Sequence, residues 1–169
     1  DKLTDLSIEN LGLQSLEQLR LAVYLETLIA DGNKLEDLTG LENTTILQTV
    51  SLKNNKLEKV DCLANSAATL KKLYLDDNFL RDLSCLATCT GIVECSADRN
   101  QLTSLDLLKD MDSMTHVYMD YNLLTNIDAL SGCMQLNTVI MNDNQIKSIE
   151  SLARCVNLIR VDVSNTLVS

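Results

Sequence analysis

The stretch LKKLYLDDNFL at residues 70–80 decides the fold, because its pattern of apolar residues and asparagine recurs along the whole chain. The pattern reads LETLIADGNKL at residues 25–35, IVECSADRNQL at residues 92–102 and MTHVYMDYNLL at residues 114–124. The units begin 22 residues apart, with one step of 23, at Leu3, Leu25, Leu47, Leu70, Ile92, Met114, Leu136 and Leu158. Self-similarity at such a period is the sequence signature of a solenoid. We number the units one to eight, and the positions of each unit from its first residue.

Positions four to six of the unit alternate apolar, variable and apolar, as in Leu73-Tyr74-Leu75. A period of two is that of a β-strand with alternate side chains pointing inward. Successive units are expected to pair these short strands in parallel, about 4.8 Å apart.

Position nine is asparagine in six consecutive units. An amide side chain carries both donors and an acceptor, so a buried asparagine can pair with backbone groups of its own turn and of the next unit. Leu11 and Thr166 take this position in the first and last units, and atypical terminal units are expected of a solenoid. The sequence therefore predicts a structural ladder of Asn33, Asn55, Asn78, Asn100, Asn122 and Asn144.

The second half of each unit has apolar residues at every third position, for example Leu83, Leu86, Cys89 and Ile92. A step of three predicts a 3₁₀ turn or one short helical turn on the convex side of the solenoid. A unit of 22 residues leaves no room for a long helix.

Together these motifs resemble the leucine-rich-repeat family, and the short units resemble its SDS22-like class, which includes the bacterial internalins and a phosphatase regulator. The resemblance implies an α/β repeat solenoid, an arc with a concave parallel sheet and short 3₁₀ or helical turns on its convex side. It covers residues 1–169 as one domain of eight units, the last incomplete, and we expect both ends to be cuts in a longer protein. The chain departs from the usual internalin unit in having no proline.

The formal net charge of −10 argues against nucleic acid and against an anionic membrane surface, because both bind basic patches. No uncharged apolar run approaches the ~18 residues that a membrane helix needs, so no membrane insertion is expected. A protein ligand with a basic or mixed surface is the partner that the charge favours.

Reactive residue types lack the arrangements that catalysis or metal binding requires. Cys89, Cys95, Cys133 and Cys155 fall at inward positions and are predicted to be buried free thiols. His116 is the only histidine and has no glycine-rich elbow or oxyanion loop beside it. Calcium needs six to eight converging oxygens, whereas the acids at the strand exits form a spaced column. We therefore expect no enzyme activity, no cofactor and no metal.

Positions three, five, seven and eight of each unit define the concave face, the usual binding surface of a solenoid. Ten acidic and four basic side chains lie at these positions, so the face carries a net charge of −6. Tyrosine is enriched at binding hot spots, and three of the four tyrosines project here; Ile140 is expected to face water. The alternative is a polar face that serves only solubility. The candidate ligand-binding residues are Tyr74, Asp76, Asp98, His116, Tyr118, Asp120, Tyr121 and Ile140.

Two functions follow as hypotheses. The first is a ligand-binding module of an internalin-like bacterial surface or secreted protein, and stretches such as SLARCVNLIRVDVSN at residues 151–165 resemble surface proteins of Gram-positive gut bacteria. The second is a cytoplasmic regulatory subunit that binds an enzyme, as the phosphatase regulator does.

Overall fold

Eight strands of three residues form one parallel sheet, in which each strand pairs with its neighbours in the chain. The computed structural model describes residues 2–168. Paired residues lie 22 positions apart, or 23 between β3 and β4, so equivalent positions of successive units stand in columns. The predicted parallel solenoid is confirmed. The strands are β1 (Asp5–Ser7), β2 (Thr27–Ile29), β3 (Thr49–Ser51), β4 (Lys72–Tyr74), β5 (Glu94–Ser96), β6 (His116–Tyr118), β7 (Thr138–Ile140) and β8 (Arg160–Asp162).

The middle residue of each strand points into the core. This side chain is completely buried in the six inner strands, at Leu28, Val50, Leu73, Cys95, Val117 and Val139. In β8 the equivalent Val161 is 41% exposed, because no ninth strand covers it within residues 2–168. Burying such a side chain stabilises the fold by about 1.5–3 kcal/mol. A unit therefore contributes most when it lies between two others.

The opposite side of the sheet is built from 3₁₀ turns, which confirms the prediction from the three-residue spacing. The second unit differs. Its Leu38, Leu41 and Thr44 are linked by two single turns, with N···O distances of 3.1 Å, and form no continuous 3₁₀ helix. Gly40 interrupts this segment with a φ of 109°. The turns are Glu17–Leu19, Asp61–Ser66, Ser84–Leu86, Asp106–Leu108, Asp128–Gly132 and Glu150–Arg154.

The six asparagines at position nine form a ladder of hydrogen bonds inside the stack, where each is only 4–8% exposed. Asn100 shows the pattern. Its Nδ2 donates to the carbonyl of Ala97 in its own turn (3.1 Å) and to that of Leu75 in the preceding unit (3.0 Å). Its Oδ1 accepts the N–H of Leu80 at 3.0 Å. The ladder thus ties each turn to the turn of the unit before it, and not to the next unit, as the sequence leads one to expect.

Position eight adopts the left-handed backbone conformation in every unit, with φ between 52° and 68°. The residues are Asn10, Gly32, Asn54, Asp77, Arg99, Tyr121, Asp143 and Asn165. Glycine, asparagine and aspartate tolerate this conformation, whereas larger side chains adopt it at a cost. Arg99 and Tyr121 are therefore the two residues of the column least suited to their backbone.

Candidate binding surface

The tyrosines of the concave face differ in exposure. Tyr74 and Tyr118 are half-buried, whereas Tyr121 is 51% exposed at the edge where the chain leaves β6. Ile140 corrects the expectation of a water-facing side chain, since it is only 7% exposed. The register sets it between Tyr118 and Asp162, so neighbouring side chains rather than solvent surround it. Fewer concave-face side chains are therefore accessible to a partner than the alternation of the strands predicts, since Ile140 is not among them.

A second ladder runs along position seven of the concave face. In four of its steps, a carboxylate accepts the backbone N–H of position seven in the next unit, as Asp98 does from Asp120 at 2.7 Å and Asp120 from Asn142 at 2.6 Å. Asn142 continues the ladder with an amide oxygen, which accepts the backbone N–H of Ser164 at 2.7 Å. These acids therefore hold neighbouring units together as well as charging the surface. The members of this position-seven ladder are Asp31, Asp76, Asp98, Asp120 and Asn142.

The carboxylates of this ladder receive unequal numbers of donors, because position five varies. Ser51 donates its hydroxyl to Asp31 at 2.7 Å, and Ser96 donates in the same way to Asp76. Tyr118 stands at position five beside Asp98, which accepts only the Asp120 N–H among residues 2–168. Burial raises the pKa of Asp98 to about 6, and the neighbouring carboxylates of the ladder add to that rise.

Lys53 interrupts the position-seven ladder and forms a cluster of its own. Its ammonium nitrogen lies 2.8 Å from a carboxylate oxygen of Asp76 and 5.0 Å from the ring centroid of Tyr74. Burial opposes a charged lysine, but the hydrogen bond and charge of Asp76 outweigh it, and the pKa of Lys53 is raised. Burial, followed by the charge of Glu94, raises the pKa of Tyr74 to about 12. At neutral pH Lys53 is therefore charged and Tyr74 keeps its proton.

The ring of His116 stacks on that of Tyr118, with centroids 6.4 Å apart and an angle of 20° between the planes. The Thr115 hydroxyl lies 2.8 Å from Nδ1 of the same histidine. The imidazole is thus held from two sides and orients the Tyr118 ring. In the neighbouring column the Arg99 guanidinium lies over the ring of Tyr121, 5.1 Å from its centroid, and 3.8 Å from Asp77.

The cysteines are free thiols, and four of them are buried, as predicted: Cys89, Cys95, Cys133 and Cys155. Cys133 and Cys155 donate their thiols to carbonyls of the preceding units, at 3.2 and 3.4 Å. Burial raises the pKa of Cys62 to about 11 and that of Cys85 to about 12, so that few of these thiols are ionised to the reactive thiolate at neutral pH. Within residues 2–168, no group of three His, Cys, Asp or Glu side chains is placed to hold a metal ion. Across the same span no helix has the length and apolar character needed to cross a membrane.

Sequence reasoning located the tyrosines and the acids of this surface, but it missed the position-seven ladder. The available signal was the recurrence of aspartate or asparagine at position seven in five of eight units. It also missed the contribution of Lys53, whose charge is satisfied by Asp76 within the chain. The expected binding role of the eight candidate residues stays a prediction.

Solved structures with this fold share little sequence with the chain. Internalin C2 from Listeria monocytogenes has a TM-score of 0.93 at 26% identity, over 98% of this chain and 73% of that one. A second internalin of the same organism (inlF) has a TM-score of 0.88 at 24% identity, over 92% and 45% of the two chains. The LRR ectodomain of the plant receptor kinase GASSHO1/SCHENGEN3 from Arabidopsis thaliana, in complex with CASPARIAN STRIP INTEGRITY FACTOR 2, has a TM-score of 0.82 at 22% identity, over 97% and 21%. Neither a protein-family sequence model nor the sequence of a curated protein matches.

Proposed function

Because the chain is a leucine-rich-repeat protein with an internalin-like fold, we propose that it binds another protein through its concave face. The observation that carries this proposal is the meeting of Tyr74, Tyr118 and Tyr121 on a face with a net charge of −6. Aromatic side chains supply much of the binding energy at protein interfaces. The charge complements a partner with a basic or mixed surface.

The setting that we propose is a bacterial surface or secreted protein, and the two internalin neighbours support it. The alternative is an intracellular regulatory subunit that holds an enzyme. Biotinylation of intact source cells with a reagent that does not cross membranes separates the two. Labelling before lysis supports a surface protein, and recovery of the protein from the culture medium supports a secreted one. Labelling only after lysis, with none of the protein in the medium, supports the intracellular subunit.

We assign no reaction to the surface. His116 uses Nδ1 for the Thr115 hydroxyl and its ring face for Tyr118, and the thiols of Cys62 and Cys85 have raised pKa values. These groups are arranged for packing and contact rather than for nucleophilic attack. The proposed function is therefore binding, without catalysis.

The proposal is tested by capturing the partner on the immobilised wild-type protein and measuring its affinity for two variants. Tyr118→Ala removes a half-buried aromatic side chain from the concave face, and Lys109→Ala removes an exposed side chain at the end of a convex 3₁₀ turn. An anchor residue costs at least about 2 kcal/mol of binding free energy when truncated, whereas a residue outside the interface costs little. Loss of affinity with Lys109→Ala but not with Tyr118→Ala would move the interface off the concave face.

The role of charge is tested by Asp120→Asn, because an amide at position seven can still accept the backbone N–H, as Asn142 does from Ser164. Only the charge is removed. Electrostatic steering acts mainly on the association rate and is screened by salt. We expect slower association of the variant at low ionic strength and little difference at high ionic strength. Equal association rates at low salt would contradict the steering role.

A further inference from the structure

Two pairs of adjacent units place the same kinds of residue around position seven of the concave face. Units three and four contribute Lys53 at position seven, Tyr74 at the next position five and Asp76 at the next position seven. The ammonium of Lys53 lies 2.8 Å from Asp76 and 5.0 Å from the Tyr74 ring centroid. The fold thus contains one cluster in which a lysine is held between a carboxylate and an aromatic ring.

Units five and six repeat this cluster with one exchange. Tyr118 and Asp120 occupy the positions of Tyr74 and Asp76, and the two strands involved are paired in the same register. Asp98 stands where Lys53 stands in the earlier pair, so an acid replaces the cation. None of the salt bridges found among residues 2–168 involves Asp98 or Asp120. The nearest basic residue in sequence, Arg99, is turned toward Asp77 and the Tyr121 ring.

We propose that Asp98, Tyr118 and Asp120 form a subsite that binds a lysine or arginine side chain of the partner. The inference rests on the proposed function and names the chemistry by which the concave face recognises its ligand. By analogy with Lys53, whose ammonium pairs with Asp76 beside the Tyr74 ring, a cation bound here is expected to lie between the Asp98 and Asp120 carboxylates and beside the Tyr118 ring. Cation–π attraction and a charge-assisted hydrogen bond act together at such a site.

The donors and charges around the subsite fit an organic cation better than a metal ion. Asp98 and Asp120 each already use one carboxylate oxygen to accept a backbone N–H. Too few oxygens remain for calcium, which requires six to eight. Burial raises the pKa of Asp98 to about 6, with Asp76 and Asp120 adding to the rise and Arg99 opposing it. A bound cation stabilises the ionised carboxylate and so offsets part of the cost of its burial.

The experiment is an NMR titration of the isotope-labelled protein with the peptide acetyl-Gly-Lys-Gly-amide at low ionic strength. We expect saturable shifts of the Tyr118 ring and of the Asp98 and Asp120 carboxyl carbons near pH 7.5. Binding should weaken about tenfold near pH 4.5, where Asp98 is protonated. The same peptide with an acetylated lysine side chain should give no shifts. Equal shifts at every acid of the face would overturn the proposal, because they indicate a general charge effect.

Three variants sharpen the result. Asp98→Lys copies the arrangement of Lys53 and should fill the subsite from within the chain, weakening peptide binding at least about tenfold. Asp143→Asn removes one negative charge elsewhere on the same face and should change affinity less than about twofold. Lys53→Asp copies Asp98 into unit three and should create a second response, at the Tyr74 ring. Unchanged peptide binding by Asp98→Lys would overturn the subsite.

The subsite and the proposed function fail in different ways. If the peptide gives no shift at Tyr118 while Tyr118→Ala still weakens the protein partner, the cation subsite is wrong and the concave interface stands. If the peptide binds as expected but the partner is insensitive to Tyr118→Ala, the subsite exists and the proposed interface is wrong.

Discussion

At the scale of single residues, the concave face carries charges that the fold itself uses. The carboxylates of Asp31 and Asp76 each accept a hydrogen bond from a serine hydroxyl in addition to one from a backbone N–H. These two donors stabilise the ionised form of each carboxylate. Asp98 receives only one donor, because Tyr118 replaces that serine. The same substitution therefore provides an aromatic contact residue and leaves a carboxylate short of partners. The residue that provides the aromatic contact, Tyr118, thus also affects the stability of the fold through Asp98.

Asp98→Asn should raise the free energy of unfolding at neutral pH. The raised pKa of Asp98, about 6, means that the folded state favours the protonated form. Protonation of Asp98 in the folded state stabilises the protein. This contribution is complete below the pKa of the unfolded state, near 4, and is lost as the pH rises through the folded-state pKa of about 6. Since the side chain is half-exposed, we expect a gain of about 1 kcal/mol near pH 7 and none near pH 4. Urea titrations at the two pH values measure it; an equal gain at both would contradict the assignment to charge.

Tyr121→Asn should also stabilise the protein, for a different reason. Tyr121 has a φ of 54°, and position eight is asparagine in three other units. Relief of a left-handed conformation in a bulky residue is worth about 1 kcal/mol. Thermal unfolding measures the change, with Asn165→Tyr as the reverse exchange and an expected loss. A less stable Tyr121→Asn variant would show that the stacking of Arg99 on the ring outweighs the backbone cost.

At the scale of the element, each strand is too short to be stable alone, and the ladders compensate. Each of units two to seven contributes three strand residues and one buried asparagine, and five of these six units also contribute a position-seven acceptor. The asparagine joins backbone groups of two successive turns, and the position-seven acceptor joins two successive strand ends. Strand formation therefore depends on the neighbouring unit more than on the propensity of its own residues.

Asn100→Ala should lower the free energy of unfolding by about 1–3 kcal/mol, because it leaves the Leu80 N–H and the Leu75 and Ala97 carbonyls without their buried partner. The matched control is Asn157→Ala, which removes an exposed amide with a single bond to the Met134 carbonyl. That loss should stay below about 0.5 kcal/mol. Equal losses in denaturant titrations would contradict the role of the ladder.

Gly40→Ala should lower the free energy of unfolding by disturbing the convex turns of the second unit, which the sequence does not distinguish from those of the other units. The φ of 109° disfavours any side chain, and a Cβ would lie 2.1 Å from the Leu16 carbonyl oxygen. We expect a loss of at least about 2 kcal/mol, measured by chemical denaturation. Gly12→Ala is the control, since φ is also positive there but no atom lies within 4 Å of the added methyl group. A similar loss at both glycines would show that φ alone sets the cost.

The features that can be predicted from the sequence are those that repeat every 22 residues. The 22-residue spacing and the L-x-L core place the strands and the asparagines, because each column repeats one environment. Lateral contacts between columns are not periodic. Ile140 is buried because of its neighbours in adjacent strands. Position 40 admits only glycine because the Leu16 carbonyl of the unit before lies where a Cβ would stand. Strand alternation assigns the candidate residues to one face, and their binding role stays a prediction. The pairing of Lys53 with Asp76 additionally requires the register of the strands.

At the scale of the whole stack, each unit is stabilised by the units on either side of it, so that a protein of these 169 residues alone should open first near the ends of its stack. The four buried cysteines sample this gradient, since Cys89 and Cys95 lie in the middle and Cys155 is near the end of the stack. Local opening should therefore expose them in order. We expect Cys155 to be alkylated first, then Cys133, and the central pair last.

Pulsed alkylation followed by mass spectrometry, at denaturant concentrations below the main transition, measures that order. Without denaturant, all four should resist labelling, and Cys62 should react about tenfold more slowly than a free thiol, because its raised pKa, about 11, leaves little thiolate at neutral pH. Identical rates for the four buried thiols would indicate that the solenoid opens as one cooperative body.

The strictly sequential strand order also bears on how such a chain can change in length. Every strand meets its partners after 22 residues, apart from the single step of 23. A deletion or duplication of one whole period, wherever its ends fall, rejoins like positions and leaves both ladders in phase. Recombination between units can therefore lengthen or shorten the binding face by one strand without a new fold being selected. The 23-residue third unit keeps its strand in register because its extra residue lies outside the strand and both ladders. A change of length within those positions shifts the register and leaves hydrophobic side chains facing water.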